Sequence, residues 1–217
     1  MPYWFDPMSF ALVLIGSVVV TALRCGPSAT ARAAHAAFAL LRAPFDRAEA
    51  KAEMAKQVRE IADDGFVRAE PHHIGDGEFD CLTDLLISRR SIDALQEEHE
   101  RYKCNRAEKA QSAMRVLDIA AEAGPVMGLA GTLIALASQR GDPNADLVGA
   151  VGMAVLTTLY GLLIANIVYA PISAAIARRH AREEIDREAV LGWLRDGLKR
   201  IHAHSVDDRP LAAKVAA

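Results

Sequence analysis

Hydrophobic and charged positions alternate in blocks along the 217-residue chain. Residues 8–23, 123–138 and 147–177 contain no charged side chain, whereas the segments between them are rich in charge. Crossing about 30 Å of hydrocarbon takes roughly 17–25 apolar residues in a helix. The pattern therefore predicts three membrane helices, near residues 8–23, 123–139 and 147–171, of which the last two form a hairpin.

The first apolar run follows three aromatic residues and Asp6, and it is closed by Arg24. Aromatic residues are typical of the membrane–water interface. A signal peptide would carry positive charge before its apolar core, but here the positive charge follows it. The run is therefore predicted to be a membrane helix with its N-terminus outside and its C-terminal end in the cytoplasm.

The hairpin is rich in small residues, which allow the backbones of membrane helices to approach closely. Gly128 and Gly131 share one face of its first helix, and Gly161 lies in its second. We expect these glycines to pack helices, both in a homo-oligomer and around a partner helix.

Three threonines lie well inside the hairpin, Thr132, Thr157 and Thr158, beside Tyr160 and Asn166, and no carboxylate lies between them. Polar groups in membrane spans usually face a bundle interior or a water-filled cavity, and there they can replace water around an ion. The alternative is that each hydroxyl bonds to a carbonyl of its own helix.

The hairpin sequences GPVMGLAGTLIAL and AVGMAVLTTLYGLLIANIVYAPI resemble the paired channel helices of the MotA/TolQ/ExbB proton-channel family. The run TTLYG…AN is closer to the MotA flagellar-stator branch. Residues 6–17 resemble the second membrane helix of MotA-type proteins, so the chain is expected to lack the helix that precedes it there. The ordered set that carries the likeness is Pro125, Gly128, Gly131, Thr132, Thr157, Thr158, Tyr160, Gly161, Ala165, Asn166 and Pro171.

The resemblance implies that Thr132 and Thr158 lie along an ion path. Thr157 is a further candidate, and the alternative for it is a position facing a neighbouring helix. It also implies a MotB/ExbD/TolR-type partner with one membrane helix that supplies an Asp, and a ring of five copies of this chain. Pro125 and Pro171 are implied to take part in a conformational change; the alternatives are a helix-start proline and a tolerated kink.

Asp118 and Glu122 are predicted at the cytoplasmic mouth, where they would collect cations. The alternative is a solvated helix face near the headgroups. After the hairpin, Ile185, Val190, Leu194 and Leu198 are a candidate apolar stripe of a charged helix.

A charge cluster in the loop, Arg89, Arg90, Glu97 and Glu98, is a candidate contact for a flagellar rotor protein. On a continuous helix its positive and negative blocks would lie about two turns apart on one face. The alternative is a solvated charged helix.

The predicted fold class is all-α: an integral membrane protein with three transmembrane helices and long cytoplasmic helical extensions. Its segments are the N-terminal transmembrane helix (1–24), the cytoplasmic helical loop (25–117), the channel hairpin (118–179) and the C-terminal helix and tail (180–217). The basic residues that flank the helices gather in the loop and the tail. The positive-inside rule therefore places loop and tail in the cytoplasm. The family resemblance implies that the membrane is a bacterial inner membrane.

The formal net charge is only −3, so nucleic acid is not expected as a partner. The chain contains neither a Walker loop nor a GxSxG or HExxH motif, and we expect no enzyme activity, cofactor or metal. The predicted function is an ion-channel subunit, for protons or for sodium, of a stator-type motor. The alternatives are an ExbB/TolQ-type energiser of the outer membrane and a membrane scaffold that conducts nothing.

Overall fold

The computed structural model describes residues 6–43, 45–64, 77–89, 92–137 and 147–207. Nearly all of these residues lie in helices, and no strand occurs among them. The predicted all-α class is therefore confirmed. The elements are α1 (Pro7–Cys25), α2 (Pro27–Ala39), α3 (Arg47–Asp64), α4 (Gly77–Arg89), α5 (Ile92–Ala137), α6 (Leu147–Leu163), a π-helical segment (Ile164–Tyr169) and α7 (Ala170–Asp207).

Three helical stretches of the described chain are long and apolar enough to cross a membrane. They are α1, α5 and the continuous run from α6 through the π segment into α7. Large apolar side chains cover their outer surfaces; Leu23, for example, is 81% exposed and Val148 85% exposed. Such surfaces are unfavourable in water and suit hydrocarbon, so the three predicted membrane helices are confirmed in number and place.

The two ends of α1 are fixed by residues that start and stop helices. The Asp6 carboxylate accepts hydrogen bonds from the Ser9 hydroxyl and from the backbone N–H groups of Met8 and Ser9. These bonds lower the pKa of Asp6, and the bond from the Ser9 hydroxyl contributes most to this effect. Pro7 occupies the first turn, where its missing N–H is not needed. Gly26 ends the helix with a φ of 87°, which favours glycine.

The chain divides into two compact units, and α5 and α7 contribute residues to both. The first unit comprises Met1–Ala43 and Glu108–His180. The second comprises Pro44–Ala107 and Ala181–Ala217.

The core of the first unit lies where α1, α2, α5 and α7 meet the π segment. Val13, Ala120 and Ile164 are among its buried members. A polar clamp lies beside it: the Arg179 guanidinium donates to the carbonyls of Ala39, Arg42 and Ala43. Arg179 thereby binds the turn that follows α2, where the Ala39 carbonyl also accepts from the Arg42 N–H.

The core of the second unit contains three of the four residues predicted as an apolar stripe on α7. Val190, Leu194 and Leu198 are buried, and they follow one another every four residues. The prediction is wrong for Ile185, which is 65% exposed. Five residues separate Ile185 from Val190, a rotation of about 140° beyond a full turn, so the two side chains leave the helix on different sides.

A charged network lies beside this second core. The Arg106 guanidinium contacts Glu184 at 3.0 Å and also binds Glu78. The side chains of Arg106 and Glu184 are only 15% and 14% exposed. Arg187 contacts Glu78 at 3.3 Å, and its guanidinium carbon lies 4.5 Å from the Phe45 ring centroid. Each acidic group here is matched by an arginine, which offsets the cost of its partial burial.

Candidate functional site

The hairpin helices approach most closely at two glycines. A Cβ atom added to Gly161 would lie 2.5 Å from the carbonyl oxygen of Gly124, and one added to Gly124 would lie 2.7 Å from the carbonyl oxygen of Gly161. Neither distance is compatible with a side chain, so the backbone contact requires glycine on both helices. Gly161 is one of the predicted packing residues, whereas Gly124 is not.

Two further glycines of α5 face a threonine of α6. A Cβ atom on Gly128 would lie 2.9 Å from the carbonyl oxygen of Thr157, and one on Gly131 would lie 3.0 Å from the Thr157 Cβ. Gly124, Gly128 and Gly131 recur at helical spacing on one face. This face packs against α6 of the same chain.

The three predicted ion-path hydroxyls each donate a hydrogen bond to their own helix. Thr132 Oγ1 donates to Leu129 O at 2.7 Å, and Thr157 and Thr158 both donate to Ala154 O, at 2.9 and 3.2 Å. Such back-bonding is common in membrane helices. It occupies the hydroxyl hydrogen but leaves oxygen lone pairs that can accept from water or coordinate a cation.

Burial separates these hydroxyls into two groups. Thr157 is only 2% exposed, and its side chain lies against Gly131. Thr132 and Thr158 are partly exposed. Thr157 therefore fills the helix contact, whereas Thr132 and Thr158 retain exposed surface.

Two tyrosines connect the hairpin to α1. The Tyr160 hydroxyl accepts a hydrogen bond from the Asp6 backbone N–H at 3.0 Å, and its ring meets Phe10 edge to face, with centroids 5.7 Å apart. The Tyr169 hydroxyl lies 2.9 Å from the Ser17 hydroxyl, and this pair is buried. Hydroxyl pairs of this kind hold membrane helices together.

The π segment explains how both tyrosines reach the same helix. Nine residues of α-helix would turn the chain by about 900° and place Tyr160 and Tyr169 on opposite faces. A π-helical turn absorbs about one extra residue, so the two side chains differ by only about 80°. Asn166 Nδ2 donates to Leu162 O at 2.9 Å within this region. Pro171, which has no N–H to donate, follows shortly after.

The two acidic residues of the predicted cytoplasmic mouth have different partners. Glu122 forms an ion pair with Arg24 of α1 at 3.5 Å, with both side chains more than half exposed. Asp118 is exposed and accepts a hydrogen bond from the Ser173 hydroxyl at 2.9 Å. Pro125 lies shortly after Glu122, inside α5, which continues through it without a break.

The predicted rotor-contact cluster is split between two helices. Arg89 is the last residue of α4, and Arg90 lies outside the described residues. Glu97 is exposed on α5, and Glu98 forms an ion pair with Arg101 at 3.4 Å.

Three residues of the site were not among the sequence predictions. Gly124 carried a signal, because it lies four residues before Gly128 and completes a glycine face. Tyr169 and Ser173 carried none, since their partners are 152 and 55 residues away in sequence.

Comparison with known sequences points to one family. Residues 78–189 match the sequence profile of the MotA/TolQ/ExbB proton channel family. Motility protein A of Cereibacter sphaeroides is 30% identical over 184 residues, which cover 78% of this chain and 68% of that protein. Chemotaxis protein PomA of Vibrio alginolyticus is 27% identical over 153 residues, which cover 67% of this chain and 60% of PomA.

Comparison with solved structures identifies the same kind of fold. A chain of the flagellar MotAB stator complex from Bacillus subtilis superposes with a TM-score of 0.75 at 14% identity, covering 99% of this chain and 89% of that one. A chain of C. jejuni MotAB gives the same TM-score at 16% identity, covering 92% of this chain and 82% of that one. At these identities the likeness establishes the fold.

Proposed function

Because the chain belongs to the MotA/TolQ/ExbB proton channel family, we propose that it is an ion-channel subunit of a stator-type motor that drives flagellar motility. The observation that carries the proposal is the hairpin of α5 and α6. Its glycines bring two backbones together, and beside this contact the oxygens of Thr132 and Thr158 remain as acceptors. The names of the relatives, Motility protein A and PomA, favour the motility branch of the family.

The channel needs a second protein. A proton relay through a bilayer requires an ionisable group, and residues 123–138 and 147–177 contain no carboxylate, histidine, lysine or arginine. We propose a partner of the MotB/ExbD/TolR type whose single membrane helix supplies an Asp. The solved relatives are named as MotAB complexes, which favours a MotB-type partner.

The proposed assembly is a ring of five copies in the bacterial inner membrane. Arg24 follows the first span and Arg178 follows the last, so the positive-inside rule puts the loop after α1 and the C-terminal helix in the cytoplasm. The turn between the hairpin helices then faces outside.

Within each copy, Thr132 and Thr158 are the proposed ion-path residues, and Thr157 serves the helix contact. Pro125 and Pro171 are proposed to let the channel helices bend as ions pass. The π segment supports this role for Pro171, because π-helical turns mark places where a helix bends and often coincide with functional sites.

Arg89, Arg90, Glu97 and Glu98 remain the proposed contacts for a rotor protein. Exposed ion pairs contribute only about 0–1 kcal/mol each, which suits contacts that form and break repeatedly. Reversing the charge with Arg90→Glu should abolish swimming while ring assembly and ion flux stay intact. Lys109→Glu, an exposed reversal elsewhere on α5, is the control. Normal swimming of the Arg89→Glu, Arg90→Glu double variant would exclude this contact.

Complementation tests the motility role. The chain and its partner are expressed in a motile bacterium from which the stator genes are deleted, and swimming speed is measured. The wild-type pair should restore swimming. Thr158→Ala should impair it, while the control Thr30→Ala in α2 should not. Ion flux without any swimming would favour an ExbB/TolQ-type energiser over a flagellar stator.

A further inference from the structure

A hydrogen bond joins the two channel helices at their cytoplasmic ends. Ser173 of α7 donates its hydroxyl hydrogen to Asp118 Oδ1 of α5 at 2.9 Å. Ser173 is 8% exposed, whereas Asp118 is exposed. The buried Ser173 side chain therefore fixes the position of the Asp118 carboxylate, which water can reach.

The carboxylate lies in an open cavity of about 480 Å³ between these helices. Gln111, Arg115, Asp118 and Ser173 provide its polar lining, and three alanines of α7 provide a wall of small side chains. An open cavity of this size admits water at these polar groups, and each water molecule fills about 30 Å³. A carboxylate can accept at about four positions on its two oxygens, so Asp118 keeps acceptor sites for water while bound to Ser173.

Ser173 lies in the first turn of α7, shortly after the π segment. It follows Pro171 by two residues and the last residue of the π segment, Tyr169, by four. Any change of bend or register in that region moves Ser173 relative to α5, because each residue of shift turns a helix by about 100°. The bond to Asp118 therefore depends on the conformation of the channel helix.

We propose that Asp118 is the group that receives the cation at the cytoplasmic end of the ion path, and that Ser173 is its positioning residue. This role rests on the proposed channel function. For a proton, a protonated water in the cavity transfers H⁺ to the Asp118 carboxylate, leaving water and a neutral carboxylic acid. The acid then returns the proton to cytoplasmic water. When α7 moves, Ser173 moves with it, which ties the orientation of the carboxylate to the bend at Pro171.

Flux measurements on the full-length chain with its partner in proteoliposomes test this role. Assembly is checked first by native mass spectrometry, and proton uptake is then followed with a pH-sensitive dye across a range of pH. Asp118→Asn keeps an oxygen that accepts the Ser173 hydrogen bond but cannot carry a proton. Ser173→Ala removes the bond, Ser173→Thr restores a hydroxyl, and Ser112→Ala is a control on α5 outside the cavity lining.

We expect Asp118→Asn to give the largest loss of flux and to alter its pH profile. Loss of one hydrogen bond corresponds to a reduction of about two- to tenfold for Ser173→Ala, and Ser173→Thr should recover most of it. If Ser173→Ala fails to assemble, Asp118→Asn and Ser173→Thr decide the question. If the hydrogen bond between Ser173 and Asp118 only stabilised the fold, Asp118→Asn would keep the wild-type flux and pH profile. That result would overturn the proposal. Absence of flux in the wild-type complex would instead overturn the proposed function, and this role with it.

Discussion

At the scale of single residues, glycine decides how closely the hairpin helices pack. The carbonyl oxygen of Gly124 lies where a side chain at position 161 would begin. Gly161→Ala should therefore force α5 and α6 apart and destabilise the fold by about 1–3 kcal/mol, as overpacking does. Thermal unfolding in detergent measures the loss.

The matched control for this prediction is Gly152→Ala on the same helix. No atom lies within 4 Å of the Cβ position at Gly152, so this alanine should be neutral or slightly stabilising. Equal melting temperatures for the two variants would show that the helices do not meet as described.

A buried histidine in the second unit predicts a dependence on pH. His99 is 7% exposed, and its Nε2 makes no hydrogen bond within the described part of the chain. Burial, followed by the charge of Arg106, lowers the pKa of His99, and His99 lies outside the apolar, membrane-spanning part of α5. The other charged groups that act on it are Glu184, Glu100 and Lys103.

Because the folded pKa lies below the unfolded value, the unfolded chain binds the proton first as pH falls. Stability should therefore decline as pH drops below about 6.5, the ordinary value for histidine. Unfolding measured at pH 7.5 and 5.5 should show a smaller decline for His99→Leu than for the wild type. The exposed His35→Gln variant should behave like the wild type, and an unchanged decline in His99→Leu would contradict the assignment.

At the scale of elements, the π segment sets which side of α7 faces the neighbouring helices. If the Ser17–Tyr169 pair holds α1 on this segment, the single variants Ser17→Ala and Tyr169→Phe should not be additive. A double-mutant cycle should give a coupling of about 0.6 kcal/mol, and at most about 1.7 kcal/mol, as found for hydrogen bonds between membrane helices. A coupling of zero would place Tyr169 away from α1.

Helix starts and stops could be predicted where one side chain fixes them. Asp6 caps α1, Gly26 ends it, and Asp46 caps α3 through hydrogen bonds to the next residues. The π segment could not be predicted, because its apolar sequence between Leu163 and Ala170 is as compatible with an α-helix. The prediction that Ile185 lies on the buried side of α7 was wrong for a related reason. A few apolar residues do not fix the buried face of a helix to within a quarter turn.

At the scale of the whole molecule, the block pattern of charge was sufficient for the three membrane helices. The free energy of transferring a segment from water to hydrocarbon depends on all of its residues, so a membrane helix requires a long apolar run in the sequence. Contacts between distant residues, such as Ser173 with Asp118 or Arg106 with Glu184, leave no such trace, because any nearby partner of suitable chemistry would serve. The ordered motif of the hairpin led to the right family, whereas the burial of Thr157 required the structure.

This chain is proposed to conduct ions together with a partner that carries an Asp. The most direct measurement is proton or sodium flux into proteoliposomes that contain the chain with a MotB-type partner, compared with the chain alone. We predict flux only when both proteins are present, and a strong reduction when Thr158→Ala is introduced into an assembly that remains intact. A fully assembled complex that passes neither ion would contradict the claim and would leave a membrane scaffold as its role.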